Sequence, residues 1–187
     1  MKFYPNYHGL CYQWQPISCL SQRFYSSEKQ VNPMTFAERY ETRDDEGKIT
    51  LRVGDYSIFE KTFSSKDIST YSIITGDNNP IHNVNDDLMA KEYGYDTVMV
   101  QWMFSGALFS AAVGAYLPGA VLVEKTLNWK EQTYVGQYLH ALVKISKILA
   151  KKKLILIDVV ATNEKKETLI TGKCTVLLRD LDIEKSK

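Results

Sequence analysis

The sequence predicts an α+β fold in which an antiparallel sheet wraps around one long buried central helix. Three observations carry that expectation. A run from Thr97 to Val123 contains no charged residue. Four strand-length apolar runs follow it, joined by short polar connectors. The chain has 187 residues, 44% of them hydrophobic and 24% charged, which suits one soluble domain with a real core.

The elements follow in order. Residues 1–27 contain no acidic side chain, carry Lys2 and Arg23, and are rich in Ser, Tyr and Gln. Such composition suggests a mitochondrial targeting segment, with the matrix as destination, and Arg23-Phe24-Tyr25-Ser26 resembles a matrix-protease site. An N-terminal arm is the plainer alternative. Residues 28–47 are polar and charged and read as a linker. The folded domain is expected over 48–180, with 181–187 as a charged tail. Between Lys48 and Phe63 the loosely alternating Ile49, Leu51, Val53, Tyr56 and Ile58 suggest one or two short strands. Ser64 and Asp67 form a capping-box-like helix start, and Ile68, Tyr71 and Ile74 follow at roughly helical spacing. That helix delivers the chain to Gly76. Asn85 to Tyr93 reads as a second short helix ending before Gly94.

Val98, Val100, Trp102, Met103, Phe104, Leu108, Phe109, Ala112 and Val113 then leave no polar face. Such a stretch is a membrane span or a buried helix. Gly114, Pro118 and Gly119 end it early, and Gln101, Ser105 and Ser110 interrupt it, which favours the buried helix and no membrane span. Val121 to Trp129, Tyr138 to Ala150, Leu154 to Thr162 and Thr168 to Arg179 read as strands. Leu139, Ala141, Val143 and Ile145 alternate, as do Ile155, Ile157 and Val159. The short connectors 151–153 and 163–167 make these strands an antiparallel meander.

Charge and cysteine usage narrow the function. A formal net charge of +1 offers no field to recruit nucleic acid. Lys151 to Lys153 and the pair Lys165, Lys166 read as solvated turns, or as a landing site for phosphates or an acidic carrier. Cys11, Cys19 and Cys174 are scattered, with no Cys-x-x-Cys and no Cys/His cluster, so neither a metal nor a disulfide framework is expected. No cofactor is expected either.

The most informative run is Tyr71-Ser-Ile-Ile-Thr-Gly-Asp-Asn-Asn-Pro-Ile-His82. Gly76 and Pro80 favour an irregular backbone that can turn Asp77 and His82 toward one point, where they could activate a water. Spacing alone favours an Asx-type turn with a surface histidine. The residues themselves are more specific. With Tyr71, Thr75, Gly76, Asp77, Asn79, Pro80 and His82 in place, the segment resembles the hydratase-2 signature of the MaoC-like family. Where that signature has a small residue, at the sixth position after the histidine, Leu88 stands here. The resemblance runs from about Tyr56 to Arg179, and Thr133-Tyr134-Val135-Gly136 is similar to the family's approach to its third main strand.

The resemblance implies a hot-dog fold and the activity of an (R)-specific enoyl-thioester hydratase or 3-hydroxyacyl-thioester dehydratase, a hydro-lyase. It implies Asp77 and His82 as the catalytic pair, supported by Asn79, Gly76 and Pro80. It also implies a backbone N–H at Gln101 as donor to the thioester carbonyl. Where the family usually reads Val-His-Gly, this chain reads Met99-Val100-Gln101. The Gln101 side chain is therefore expected to intrude on the acyl-thioester groove, with Trp102 adding bulk. Two functions stay open: a dehydratase of mitochondrial fatty acid synthesis acting on thioesters of acyl carrier protein or coenzyme A, or a catalytically impaired hot-dog subunit recruited into a larger mitochondrial assembly. Either implies a homodimer or a pseudo-symmetric hot-dog dimer.

Overall fold

Alternation builds the sheet. In the computed structural model, which describes residues 35–40, 42–43 and 49–178, Leu139, Ala141, Val143 and Ile145 all point inward and are buried. Ile155, Ile157, Val159 and Ala161 do the same on the next strand. Each buried Ile, Leu or Val contributes about 1.5–3 kcal/mol of transfer free energy. The main sheet contains β1 (Thr35–Tyr40), β4 (Tyr56–Thr62), β5 (Val121–Trp129), β6 (Tyr138–Leu149), β7 (Leu154–Thr162) and β8 (Thr168–Leu177). All neighbours are antiparallel, in the order β1-β4-β6-β7-β8-β5. β2 (Thr42–Arg43) and β3 (Ile49–Thr50) form a separate two-stranded ribbon.

Two expectations are corrected here. The segment 28–47 is not all linker, because β1 lies in it and pairs with β4 from Thr35↔Glu60 to Tyr40↔Tyr56. Its charged residues hid an edge strand, where one side of the ladder meets solvent. The meander holds for β6, β7 and β8, but β5 pairs with β8, with Trp129 opposite Ile170, and not with β6. The expected leader 1–27 and tail 181–187 lie outside the described residues, as do Cys11 and Cys19.

α3 (Trp102–Tyr116) packs against β4, β5 and β6 with Leu108, Phe109, Ala112, Val113 and Tyr116 buried. Gly106 marks the closest approach: an added Cβ would stand 2.7 Å from Leu127 Cδ1 and 3.2 Å from Trp129 Cζ2. The expectation of a helix buried all round is corrected. Met103 is 59% exposed, and Ala111 and Gly114 are exposed beside it. Val121 and Val123 of edge strand β5 are exposed as well. Among the described residues, no helix is long and apolar enough to cross a membrane.

α1 (Ser65–Thr75) starts at the expected capping box. The Asp67 N–H donates to Ser64 Oγ at 3.2 Å, and the Ser64 N–H donates to Asp67 Oδ2 at 2.9 Å. Asp67 also pairs with Lys61 Nζ at 2.8 Å, and both are buried. Lys61 sits on the inward face of β4 with Ser57 and Phe59, so the strand's true core face is not the one that Tyr56 and Ile58 suggested. Ile68 is buried and Tyr71 stacks on Phe104 with centroids 4.5 Å apart, but Ile74 is 76% exposed. Six residues are about one and two-thirds turns, which carries Ile74 off the face that Ile68 defines.

The two lysine runs occupy exposed turns at opposite ends of β7, after Leu149 and after Thr162. A nine-residue strand separates them by roughly 30 Å, so they form no single patch.

Candidate active site

α1 ends because Gly76 takes a left-handed conformation, φ 75°, which an L side chain resists, and its N–H returns to Ser72 O. Thr75 Oγ1 donates to Tyr71 O at 2.7 Å and accepts from the Asp77 N–H at 3.3 Å. Asp77 Oδ1 in turn accepts the Asn79 N–H at 3.3 Å. Each polar side chain thus satisfies the backbone that helix termination frees.

A short 3-10 turn, Pro80–His82, follows, with Asn79 as its cap. Asn79 Oδ1 accepts from the Ile81 N–H at 3.4 Å, and Asn79 O from the His82 N–H at 2.9 Å. Pro80 stands at the first position, where its missing N–H costs nothing. Asn79, Gly76 and Pro80 therefore shape the loop's backbone.

His82 is fixed from outside its own turn. Its Nδ1 lies 2.8 Å from Met99 O, and the Met99 N–H donates to Ile81 O at 3.1 Å. A carbonyl only accepts, so Nδ1 carries a proton, and the tautomer this contact selects has its lone pair on Nε2. Sequence reasoning did not find this partner, because seventeen residues separate the two in the chain. Met99 is itself held between two neighbours. Val100 N–H donates to Thr133 O at 2.8 Å and Val135 N–H to Val98 O at 3.0 Å, with a bridge from Met99 to Tyr134. The Thr133–Gly136 segment is thus part of the site's frame.

Asp77 and His82 are both half-buried, and no ion pair joins them among the described residues. The turn that carries His82 is bonded to Met99, three residues before α3 begins, and Asp77 stands just ahead of that turn, with its own bonds running to Thr75 and Asn79. That helix begins at Trp102 with no side-chain cap, so its first N–H groups have no partner from the capping residue Gln101.

The Gln101 side chain goes elsewhere. It is 2% exposed and turned inward, with Nε2 donating to Ser72 Oγ at 2.9 Å and lying 3.5 Å from Ile68 O. The side chain expected to intrude on the acyl-thioester groove lies in the seam between α1 and α3. Trp102 is half-exposed and stacks on Trp129 at 5.6 Å, and Trp129 Nε1 donates to Ser105 Oγ. Leu88, at the position where the signature has a small residue, is 61% exposed at the start of α2 (Leu88–Glu92). Two cavities, of about 410 and 580 Å³, lie elsewhere: one between Ser65, Asn85 and Thr97, the other over Asp158 and Lys173 of the sheet. Asp77, His82 and Gln101 line neither. Among the described residues no three His, Cys, Asp or Glu side chains are grouped to hold a metal.

Comparison with known proteins agrees with this architecture. The family model of the MaoC-like domain matches residues 43–168, and the chain belongs to that family. A mitochondrial 3-hydroxyacyl-[acyl-carrier-protein] dehydratase of Arabidopsis thaliana is 29% identical over 139 residues, covering 73% of this chain and 82% of the relative. An (R)-specific enoyl-CoA hydratase of Rhodospirillum rubrum is 29% identical over 130 residues, 68% of this chain and 88% of that one. The solved (R)-hydratase of A. caviae involved in PHA biosynthesis superposes with a TM-score of 0.65 at 24% identity, covering 69% of this chain and 98% of its own. The fold is the hot-dog fold of these hydratases.

Proposed function

We propose that this chain is an (R)-specific 3-hydroxyacyl-thioester dehydratase, or enoyl-thioester hydratase, acting in mitochondrial fatty acid synthesis. The observation that carries the reading is the bond from His82 Nδ1–H to Met99 O, which leaves Nε2 to act as a base on the turn that follows Asp77. In hydration, the pair takes a proton from a bound water as its oxygen bonds to C3 of the enoyl thioester. The C2–C3 π electrons move to the thioester oxygen, whose developing charge the N–H of Gln101 and the first N–H groups of α3 receive. The pair then returns a proton to C2. In dehydration the same steps run backward. Asn79, Gly76 and Pro80 hold the loop and touch no reacting atom.

The relatives named above support the substrate class, a thioester of acyl carrier protein or coenzyme A, and the Arabidopsis thaliana dehydratase is mitochondrial, as is a similar dehydratase of Solanum lycopersicum. The matrix location rests further on the acid-poor composition of 1–27. The working unit in this reading is a dimer. Met103, Ala111 and Gly114 of α3 are exposed, as are Val121 and Val123 of edge strand β5, and a second hot-dog subunit covers these residues and the edge. Solved neighbours include a ChsH1–ChsH2 complex and a HadBC complex of Mycobacterium tuberculosis.

One observation favours a second reading, a catalytically impaired subunit of a larger mitochondrial assembly: the buried Gln101 stands where the family's motif has a glycine. Purified protein assayed with short and long trans-2-enoyl thioesters of both carriers separates the two. Turnover with any of them supports the enzyme, and none with all of them supports the impaired subunit.

A further inference from the structure

We propose that Gln101 is a positioning residue that sets Asp77 and His82 against each other by tying the two pieces of backbone that carry them. This rests on the hydratase reading of the pair. His82 is held by Met99 O, two residues before Gln101. Asp77 follows Gly76, whose N–H is held by Ser72 O in the last turn of α1. The Gln101 amide spans from the first piece to the second, donating to Ser72 Oγ at 2.9 Å and approaching Ile68 O at 3.5 Å. Because Ile68 O can only accept, the amide nitrogen must face α1, which fixes the side chain's orientation.

The remaining contacts of α1 with this region are less directional. Tyr71 lies flat on Phe104 and Ile68 is buried among apolar neighbours. Stacked rings and aliphatic packing tolerate sliding, whereas a hydrogen bond to a named atom sets register. The amide is a poor device for stability. Its Oε1 is buried with no hydrogen-bond partner, so the side chain carries an uncompensated desolvation cost. An apolar side chain of the same length would avoid that cost, and the Ser72 hydroxyl could then turn back to the carbonyl four residues earlier in its own helix. Gln101→Met should therefore separate geometry from stability.

The test compares wild type, Gln101→Met, Ser72→Ala and the double variant, full length, with His82→Ala to assign the ring signals. For enoyl-thioester hydration, Gln101→Met is expected to lower kcat on the order of ten- to a hundredfold with KM held within about twofold, the pattern of a misplaced reacting group. Its Tm is expected to stay level or rise. The double variant should be no slower than Gln101→Met alone, because both changes cut one tie. Nitrogen NMR of His82 should show a single Nδ1–H tautomer in wild type and a mixture in Gln101→Met. An unchanged His82 tautomer in that variant overturns the proposal, as does a kcat loss matched by a fall in Tm. If wild type itself turns over no enoyl thioester, the hydratase reading falls, and the tautomer comparison alone decides whether Gln101 positions His82.

Discussion

The β6–β8 meander and the Gly76–His82 loop are held by opposite means. The meander buries one side chain in two, and almost any aliphatic residue of similar volume would serve at Ile155, Ile157 or Val159. The loop buries little. It stands because Thr75, Asp77, Asn79 and the Met99 carbonyl each satisfy a named donor. Packing therefore sets the stability of this molecule, and a handful of hydrogen bonds sets the geometry of its site. Changes in one region should leave the other's readout nearly untouched.

The largest effect expected is on the loop side. Asp77→Asn and His82→Ala should each lower turnover by roughly two to four orders of magnitude, the range of a general acid–base group. Tm should move little, because both side chains are half-exposed and surface changes stay within about 0.5 kcal/mol. Steady-state kinetics and thermal melts on the same preparations check both halves. A Tm fall as large as that of a core variant would erase the contrast.

On the other side, Lys61→Met should cost about 3–5 kcal/mol of stability, because it leaves Asp67 charged and buried without its ammonium partner. Ile157→Ala should cost about 2–5 kcal/mol, as a large-to-small change at a fully buried position. Urea unfolding measures both. The sharper outcome concerns activity per folded molecule. Ile157→Ala should keep it, whereas Lys61→Met should lower it somewhat, because Lys61 anchors the first turn of α1.

The same division explains what could be read in the sequence. The spans of β5 and β7 and the capping box at Ser64 were legible because each follows from local periodicity or a local bond. The loop's residues were legible through their resemblance to a signature. The Met99 carbonyl, the inward-facing Lys61 and the turn of Gln101 toward Ser72 were not. Each depends on a partner distant in the chain, or on which face of a short strand meets the helix. The pairing of β5 with β8 was hidden for a related reason: alternation names a strand's buried face but not its neighbour. The exposed residues of α3 were overread as core, since a helix apolar all round looks the same whether its own sheet or a second subunit covers it.

The smallest expected effect lies on the outer face of the sheet. Tyr138 is pushed up from 10.0 to about 12, first by its hydrogen bond to Glu60, then by burial and the charges of Glu60 and Glu164. The folded state therefore favours the neutral phenol. The stability it adds is complete below pH 10 and is lost as pH rises from 10 to 12. Tyr138→Phe should flatten the decline of Tm over that window and remove one late-titrating phenolate from the ultraviolet absorbance titration. Activity near neutral pH should not change.

The most direct test of the central claim is the product formed from trans-2-butenoyl-CoA by wild type and by His82→Ala. The account expects (R)-3-hydroxybutyryl-CoA from wild type, resolved by chiral chromatography, and its near disappearance in a His82→Ala protein that melts like wild type. An (S) product, or equal rates from the two proteins, would contradict it.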